Sequence, residues 1–398
     1  MTEFVRTAEE NFTDLPGFAF APNYHGWQDL RMHYLDEGPK DGPVMLLMHG
    51  MPTWSYLYRD VIPVLVDAGY RCIAPDHMGF GRSDKPTDIH WYTIARHTEI
   101  LTSLIVELDL QSITLVCQDW GGPTGLAQAA MMPERFSDLV IMNTWLHHEA
   151  YEYSAGIRRW NAGWHAGGTY AREEPDIGLL LVLSSGLIDV ATFMSAFVDG
   201  EDPGLSGAAA NMYQGFSAPY KGLPDAGYNG FRRFPLSIPL DSYHNGNAAA
   251  QSLHYRTLLN WSASGKGCHF IWGCADDVFT ESWGRQWAEQ MNARFDALPD
   301  AGHFPQNTHG AQLAALILEG KGLDRGLSRK RDVSWRFSMS SKAPKAPLPL
   351  VYVHYGLDRR AVSGLELRAL RIGDGDEGDL SIRLVWNTQQ LGYGFFMS

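Results

Sequence analysis

The stretch Leu115–Val116–Cys117–Gln118–Asp119–Trp120–Gly121–Gly122 sets a carboxylate and an indole side by side at the end of an apolar run. Upstream of it, Ser112–Ile113–Thr114–Leu115–Val116–Cys117 has the short, β-branched, uninterrupted character of a buried parallel strand. Downstream, Gly121–Gly122–Pro123 and the run Thr124–Gly125–Leu126–Ala127–Gln128–Ala129–Ala130 read as a tight turn opening into a helix. Small residues at Cys117 and Gly121 leave room for a sharp elbow that presents its central side chain at the end of a sheet. Read alone, Asp119 serves equally well as the cap of the following helix. The choice rests on the other members of a catalytic set.

Working outward, Val44–Met48 and Arg71–Pro75 repeat the buried-strand pattern, and helices are expected over Trp54–Ala68 and Thr93–Leu108. Strand and helix alternating in this way define a parallel sheet covered on both faces. Leu139–Asn143 is a further strand, after which the rhythm breaks. Residues 145–236 carry Trp145, Trp160, Trp164 and the apolar run Ile177–Leu183 without parallel-strand stretches, and read as an inserted helical cap. The alternation resumes with a helix near Ala248–Trp261, the strand Cys268–Trp272, a helix over Glu281–Met291, a short strand at Arg294–Leu298 and the helix Ala311–Leu318. The core is therefore expected over 1–144 and 237–320, followed by a basic linker over 321–332 and a small β-rich C-terminal extension over 333–398 with a structural or oligomerising role.

Composition narrows the function. Hydrophobic residues at 45% and charged residues at 19% describe a globular chain long enough for a full core. A net charge of −13 argues against nucleic acid or an anionic membrane surface as partner. The N-terminus lacks the basic start and apolar centre of a signal peptide, and no run approaches the roughly 20 apolar residues of a membrane span, so a cytoplasmic location is expected. Cys72, Cys117, Cys268 and Cys274 lie in or beside expected strands without metal-ligand spacing, which makes them reduced core thiols. The thirteen tryptophans are mostly packing, yet they can line an apolar cavity and still offer N–H donors inside it.

Ligands in open α/β sheets bind beyond the carboxyl ends of the strands. After Leu298 comes Pro299–Asp300–Ala301–Gly302–His303–Phe304, and after Trp272 comes Gly273–Cys274–Ala275–Asp276–Asp277. Asp119, then an acid at 276, then His303 follow the nucleophile, acid, base order of α/β-hydrolases. A carboxylate nucleophile is already ionised at neutral pH and attacks without losing a proton, which suits substitution at a saturated carbon. Water then cleaves the resulting alkyl ester once His303 deprotonates it, with Asp276 orienting the imidazole. Fold logic puts the backbone N–H groups of Met51 and Trp120 where the developing oxyanion lies. Asp277 competes for the acid role, but its position after the strand favours Asp276.

The chain resembles a haloalkane dehalogenase of the α/β-hydrolase superfamily. The resemblance is carried by His49–Gly50–Met51–Pro52–Thr53–Trp54–Ser55–Tyr56–Leu57–Tyr58–Arg59, Gly79–Phe80–Gly81–Arg82–Ser83–Asp84–Lys85–Pro86, Cys117–Gln118–Asp119–Trp120–Gly121–Gly122 and Asp300–Ala301–Gly302–His303–Phe304, and more loosely by Tyr220–Pro235. It implies an α/β-hydrolase fold with a mostly parallel sheet and a helical cap, and hydrolysis of a small halogenated alkane to alcohol and halide without metal or organic cofactor. It also implies Asp119 as nucleophile, His303 as base and Asp276 as acid, with the Trp120 indole N–H donating to the departing halide. One branch of the family supplies a second donor from an Asn directly after the His-Gly pair, where this chain has Met51. The branch it most resembles uses a cap tryptophan, here Trp164 with Trp160 as the alternate. A competing reading is an epoxide hydrolase, which needs acidic cap tyrosines such as Tyr213, Tyr220 and Tyr228. A catalytically silent binding protein on the same scaffold is the third reading, and the intact set of Asp119, Asp276 and His303 argues against it.

Overall fold

Eight strands pair into one sheet in the computed structural model, which describes residues 1–166, 174–187, 204–240, 247–321, 350–352 and 383–385. They are β1 (Asn23–Trp27), β2 (Leu30–Glu37), β3 (Val44–Met48), β4 (Arg71–Pro75), β5 (Ile113–Gln118), β6 (Phe136–Met142), β7 (Gly267–Gly273) and β8 (Arg294–Leu298). Their order across the sheet is β8-β7-β6-β5-β3-β4-β2-β1. Pairings from β8 to β4 are parallel, and β2 joins antiparallel to both β4 and β1. The central strands β3 and β5 are buried along their whole length, as an uninterrupted apolar run requires.

The helices on the sheet follow from apolar spacing and caps. They are α1 (Ile62–Asp67), α2 (Ile94–Glu107) and α3 (Gly121–Met131). On α2, Ile94, His97, Thr98, Leu101, Leu104 and Ile105 form one buried face, and the Thr93 hydroxyl caps the helix by accepting from Arg96 N–H. The helix expected over Trp54–Ala68 is shorter than the pattern suggested. Ser55–Tyr58 makes a 3₁₀ turn, and α1 begins only at Ile62, where Pro63 suits the first helical turn because its missing N–H leaves nothing unsatisfied.

Between β6 and β7 the chain forms α4 (Ala155–His165), α5 (Ile177–Ser184), α6 (Gly207–Ser217) and α7 (Asn229–Leu236), then α8 (Ala248–Leu258) returns to the sheet. Backbone acceptors pin these helices to the loops below. Trp54 Nε1 donates to Gly215 O at 3.0 Å, Thr7 Oγ1 to Pro219 O at 2.6 Å and Asn229 Nδ2 to Thr87 O at 2.7 Å. Gly79 and Gly230 pack backbone on backbone, since a Cβ on either would lie 2.8 Å from the other's Cα. After β7 come α9 (Glu281–Gln290), α10 (Pro305–Thr308) and α11 (Gly310–Gly320).

All four cysteines are free thiols, but only Cys72 and Cys117 are fully buried, whereas Cys268 and Cys274 are partly exposed because they lie at the ends of β7 rather than in its middle. Of the expected linker and extension, the structure describes Lys321 and two short strands, Leu350–Tyr352 and Arg383–Val385, paired in parallel. The oligomerising role expected for 333–398 otherwise falls outside the described residues. Among the described residues, no helix is long and apolar enough to cross a membrane.

Three histidines are buried together beneath the helices that follow β6. His77 N–H donates to His49 Nε2 at 3.0 Å, the ring of His77 lies 4.6 Å from that of His49 and 5.3 Å from that of His97, and Phe234 of α7 covers both His77 and His97. Burial, reinforced by mutual repulsion, holds His77 well below the usual imidazole range and His97 at about 3; burial also lowers His49. Each ring is therefore neutral in the fold yet protonates near pH 6.5 once unfolded. Stability is full above that pH and declines as pH falls below it, by up to roughly 1.4 kcal/mol per pH unit for each ring that stays neutral in the fold. Thermal unfolding midpoints are expected to drop steeply between pH 6.5 and 5, and a His97→Phe variant to show a shallower slope. A midpoint that stays flat over that range would refute the account.

Candidate active site

The register of the sheet assembles the site. Gln118 at the end of β5 pairs with Met142 at the end of β6, so Asp119 and Asn143 leave the sheet side by side. Leu298 pairs with Gly273, which brings the loops after β7 and β8 together, so closely that a Cβ on Gly273 would lie 2.2 Å from Gly302 O. Small residues are needed there for the two loops to meet.

Asp119 sits in the left-handed region at φ 50°, a conformation Asp tolerates better than most side chains and one that marks a held, strained turn. Its backbone N–H donates to Asn143 O at 3.0 Å, and its carbonyl accepts from Thr144 Oγ1 at 2.5 Å and from Gly122 N–H at 2.9 Å. The carboxylate is buried. Its Oδ1 accepts Met51 N–H at 2.7 Å, and Oδ2 lies 3.5 Å from His303 Nε2. Gly50 has no side chain for a concrete reason: a Cβ there would stand 2.3 Å from both Cβ and Oδ1 of Asp119.

His303 Nδ1 lies 2.8 Å from Asp276 Oδ2, which fixes the ring and leaves Nε2 facing Asp119. Asp276 is buried and held from two further sides, by Asn143 Nδ2 at 2.9 Å and by Val278 N–H at 2.8 Å. Asp277 is exposed, so only Asp276 reaches the imidazole. Burial opposes a charged His303, but the charge of the Asp276 carboxylate and hydrogen bonds donated by the ring to Asp119 and Asp276 outweigh it and raise the imidazole to about 10.

Asn143 was not singled out by sequence. Its amide donates to both Gly273 O and Asp276, and its Oδ1 accepts Gly273 N–H at 2.8 Å, so one side chain ties β6 to the end of β7 and to the acid. The signal was present: Asn143 follows directly on a buried strand at its carboxyl end, as Asp119 does.

Trp120 is buried and its ring lies between Trp145, edge-on at 4.7 Å, and Phe234, stacked at 4.8 Å. Its indole N–H donates to no described residue. Of the two expected oxyanion donors, Met51 N–H reaches the Asp119 carboxylate, while the Trp120 backbone N–H makes no such contact in this structure. Trp164 is buried on α4 and meets Trp160 at 5.5 Å and Phe231 at 5.2 Å; Phe231 and Phe234 are one turn apart on α7. The two indoles thus reach the same helix without ring contact between them. Trp160 is only partly buried. Phe279, stacked on His303 at 5.5 Å and on Trp145 at 5.1 Å, completes an aromatic wall. Among the described residues, no three His, Cys, Asp or Glu side chains are arranged to hold a metal ion.

Of the three cap tyrosines, Tyr213 and Tyr228 have hydroxyl partners and Tyr220 accepts from Tyr228 through its carbonyl. Tyr213 donates to Asp176 at 3.2 Å, and Tyr220 and Tyr228 stack on one another at 5.1 Å. Burial raises the Tyr220 phenol well above its usual range and Tyr228 to about 12, which makes both weaker proton donors.

Strand order, elbow and the Asp119, His303, Asp276 relay define an α/β-hydrolase, and residues 43–189 match the family model for the alpha/beta hydrolase fold. A haloalkane dehalogenase of Psychrobacter cryohalolentis is 34% identical over 331 residues, covering 80% of this chain and 97% of its own length. One of Mycobacterium marinum is 36% identical over 332 residues, covering 79% and 99%. The solved structure of the haloalkane dehalogenase DpaA from Paraglaciecola agarilytica NO2, a tetramer, superimposes with a TM-score of 0.66 at 33% identity, covering 78% of this chain and 96% of that one. The chain belongs to the haloalkane dehalogenase family, hydrolases that act on carbon–halide bonds.

Proposed function

We propose that this protein converts a small halogenated alkane and water to an alcohol, a halide ion and a proton, in a cavity between the core (1–144 and 237–320) and the helical cap (145–236). The observation that carries the reading is the Asp119 carboxylate at its left-handed elbow, with Met51 N–H on one oxygen and His303 Nε2 near the other.

One oxygen of Asp119 attacks the halogen-bearing carbon; a C–O bond forms, the carbon–halogen bond breaks, and the halide leaves with the electron pair. The Trp120 indole N–H stabilises the departing anion, with Trp164, or Trp160 in its place, as the second donor from the cap. His303 Nε2 then takes a proton from water, whose oxygen adds to the ester carbonyl of Asp119. The oxyanion rests on the backbone N–H groups of Met51 and Trp120. Collapse expels the alkoxide, which collects the proton from His303, and the carboxylic acid left on Asp119 gives the water's second proton to solvent, which restores the carboxylate.

The charge arrangement supports this order. Two of the influences that keep His303 protonated, the hydrogen bond and the charge of Asp119, disappear once Asp119 is an ester. Its basicity falls toward the range useful for taking a proton from water at the stage where that proton must move. The Tyr213 hydroxyl's bond to Asp176, the Tyr228 hydroxyl's bond to Tyr220 O and the raised phenols of Tyr220 and Tyr228 weigh against the epoxide reading.

Parallel assays test the proposal: bromide release from butyl bromide and diol formation from styrene oxide. Bromide without diol is expected, and diol without bromide would reverse the assignment. Iodide should also quench tryptophan fluorescence saturably. Trp120→Phe is expected to remove most of that component, and comparison of Trp164→Phe with Trp160→Phe identifies the second donor. Absence of saturable quenching in the wild type would count heavily against a halide site.

A further inference from the structure

We infer that Gln118 is a positioning residue that sets the protonation of His303, donating to the Nε2 lone pair and so favouring the neutral ring required for ester hydrolysis. The inference deepens the proposed function and rests on it for its kinetic meaning.

Gln118 is the last residue of β5 and is fully buried. Its Nε2 lies 2.9 Å from His303 O and 3.2 Å from His303 Nε2. The backbone carbonyl only accepts, so the amide nitrogen must be the end that faces it; a flipped amide would set two acceptors against each other. The nitrogen has two hydrogens, one for the carbonyl and one directed at the ring nitrogen. Nδ1 is committed to Asp276 at 2.8 Å and carries the ring's hydrogen in the neutral form, so Nε2 then has a lone pair to accept Gln118. A protonated Nε2 would instead oppose its hydrogen to that of the amide.

The ionisable groups facing this ring are Asp119 from the elbow and Asp276 from the loop after β7, with Tyr151 within electrostatic reach of Asp276; Phe279 and Phe304 cover the ring. Both carboxylates favour imidazolium, and Gln118 is the neutral donor that opposes them. Gln118 Oε1 is buried with no hydrogen-bond partner among the described residues, which give this amide nothing in return for its other end. A leucine of similar length would avoid that desolvation, and the retained polar group is therefore better explained by its contact with His303 than by packing.

The test uses the full chain and two readouts. Histidine ring nitrogens are followed by ¹⁵N NMR against pH without substrate, with His303 assigned by its disappearance in His303→Phe. Hydrolysis of the butyl-enzyme is followed by rapid quench and mass spectrometry across the same pH range. In Gln118→Leu, the His303 titration and the pH at which hydrolysis switches on should both move upward by about one unit, the usual increment of one hydrogen bond. Bromide release in the first turnover should stay within about threefold. Gln118→Glu, whose carboxylate accepts from the ring, should move both further in the same direction. An unchanged or lowered titration in Gln118→Leu overturns the inference, as does an equal loss of both half-reactions at every pH. If the NMR shift appears while wild type releases no bromide, the inference about Gln118 stands and the proposed reaction falls.

Discussion

Asp119→Ala should release no bromide from butyl bromide above the uncatalysed background, a loss of about 10⁴-fold or more, the scale on which removal of a covalent nucleophile acts. The variant is expected to fold. The bonds that fix the elbow run through the backbone, from Asp119 N–H to Asn143 O and from Thr144 Oγ1 to Asp119 O, and survive truncation of the side chain. Alanine at φ 50° adds about 1–2 kcal/mol of strain, which circular dichroism and the unfolding midpoint would register separately from activity. No other described carboxylate lies beside Met51 N–H to take over the attack. Wild-type release of bromide from a folded Asp119→Ala protein would end the idea of an aspartyl ester.

The second large effect separates the two half-reactions. In His303→Ala the carboxylate still stands on Met51 N–H, so displacement of the halide continues, but the imidazole nitrogen 3.5 Å from Asp119 Oδ2 that would take a proton from water is gone. The expected outcome is one equivalent of bromide per chain and then silence, with turnover reduced by about 10³-fold or more. Mass spectrometry should find the added butyl group on the peptide containing Asp119. Repeated turnover at the wild-type rate would remove His303 from the mechanism, and an adduct elsewhere in the chain would remove Asp119.

The fold was legible because its determinants are local. A buried parallel strand such as Ile113–Gln118 announces itself by an unbroken apolar run, and the glycines after Asp119 declare a turn within a few residues. Strand ends were legible as places for chemistry, which is how Asp119, Asp276 and His303 could be named together. Asn143 escaped because an Asn after a strand is usually a turn residue, and its bond to Asp276 spans 133 positions of sequence. The histidine cluster escaped for a similar reason: His49, His77 and His97 belong to two loops and a helix that only the sheet brings together. Composition pointed to an aromatic cavity but could not say that Trp120 and Trp164 pack against different residues of α7, Phe234 and Phe231, because that depends on how the elements carrying them meet α7.

The strand order carries a consequence for quality control of the protein itself. Asp119 emerges from the middle of the sheet, whereas Asp276 and His303 follow β7 and β8, the last of its eight strands along the chain and the outermost on that side. A molecule whose final two strands of this sheet had not docked would carry Asp119 on a central strand without them. It would lack both His303 and Asp276, the groups in line with the Asp119 carboxylate. Under the proposed reaction, specific activity would therefore count molecules whose last two sheet strands are in place.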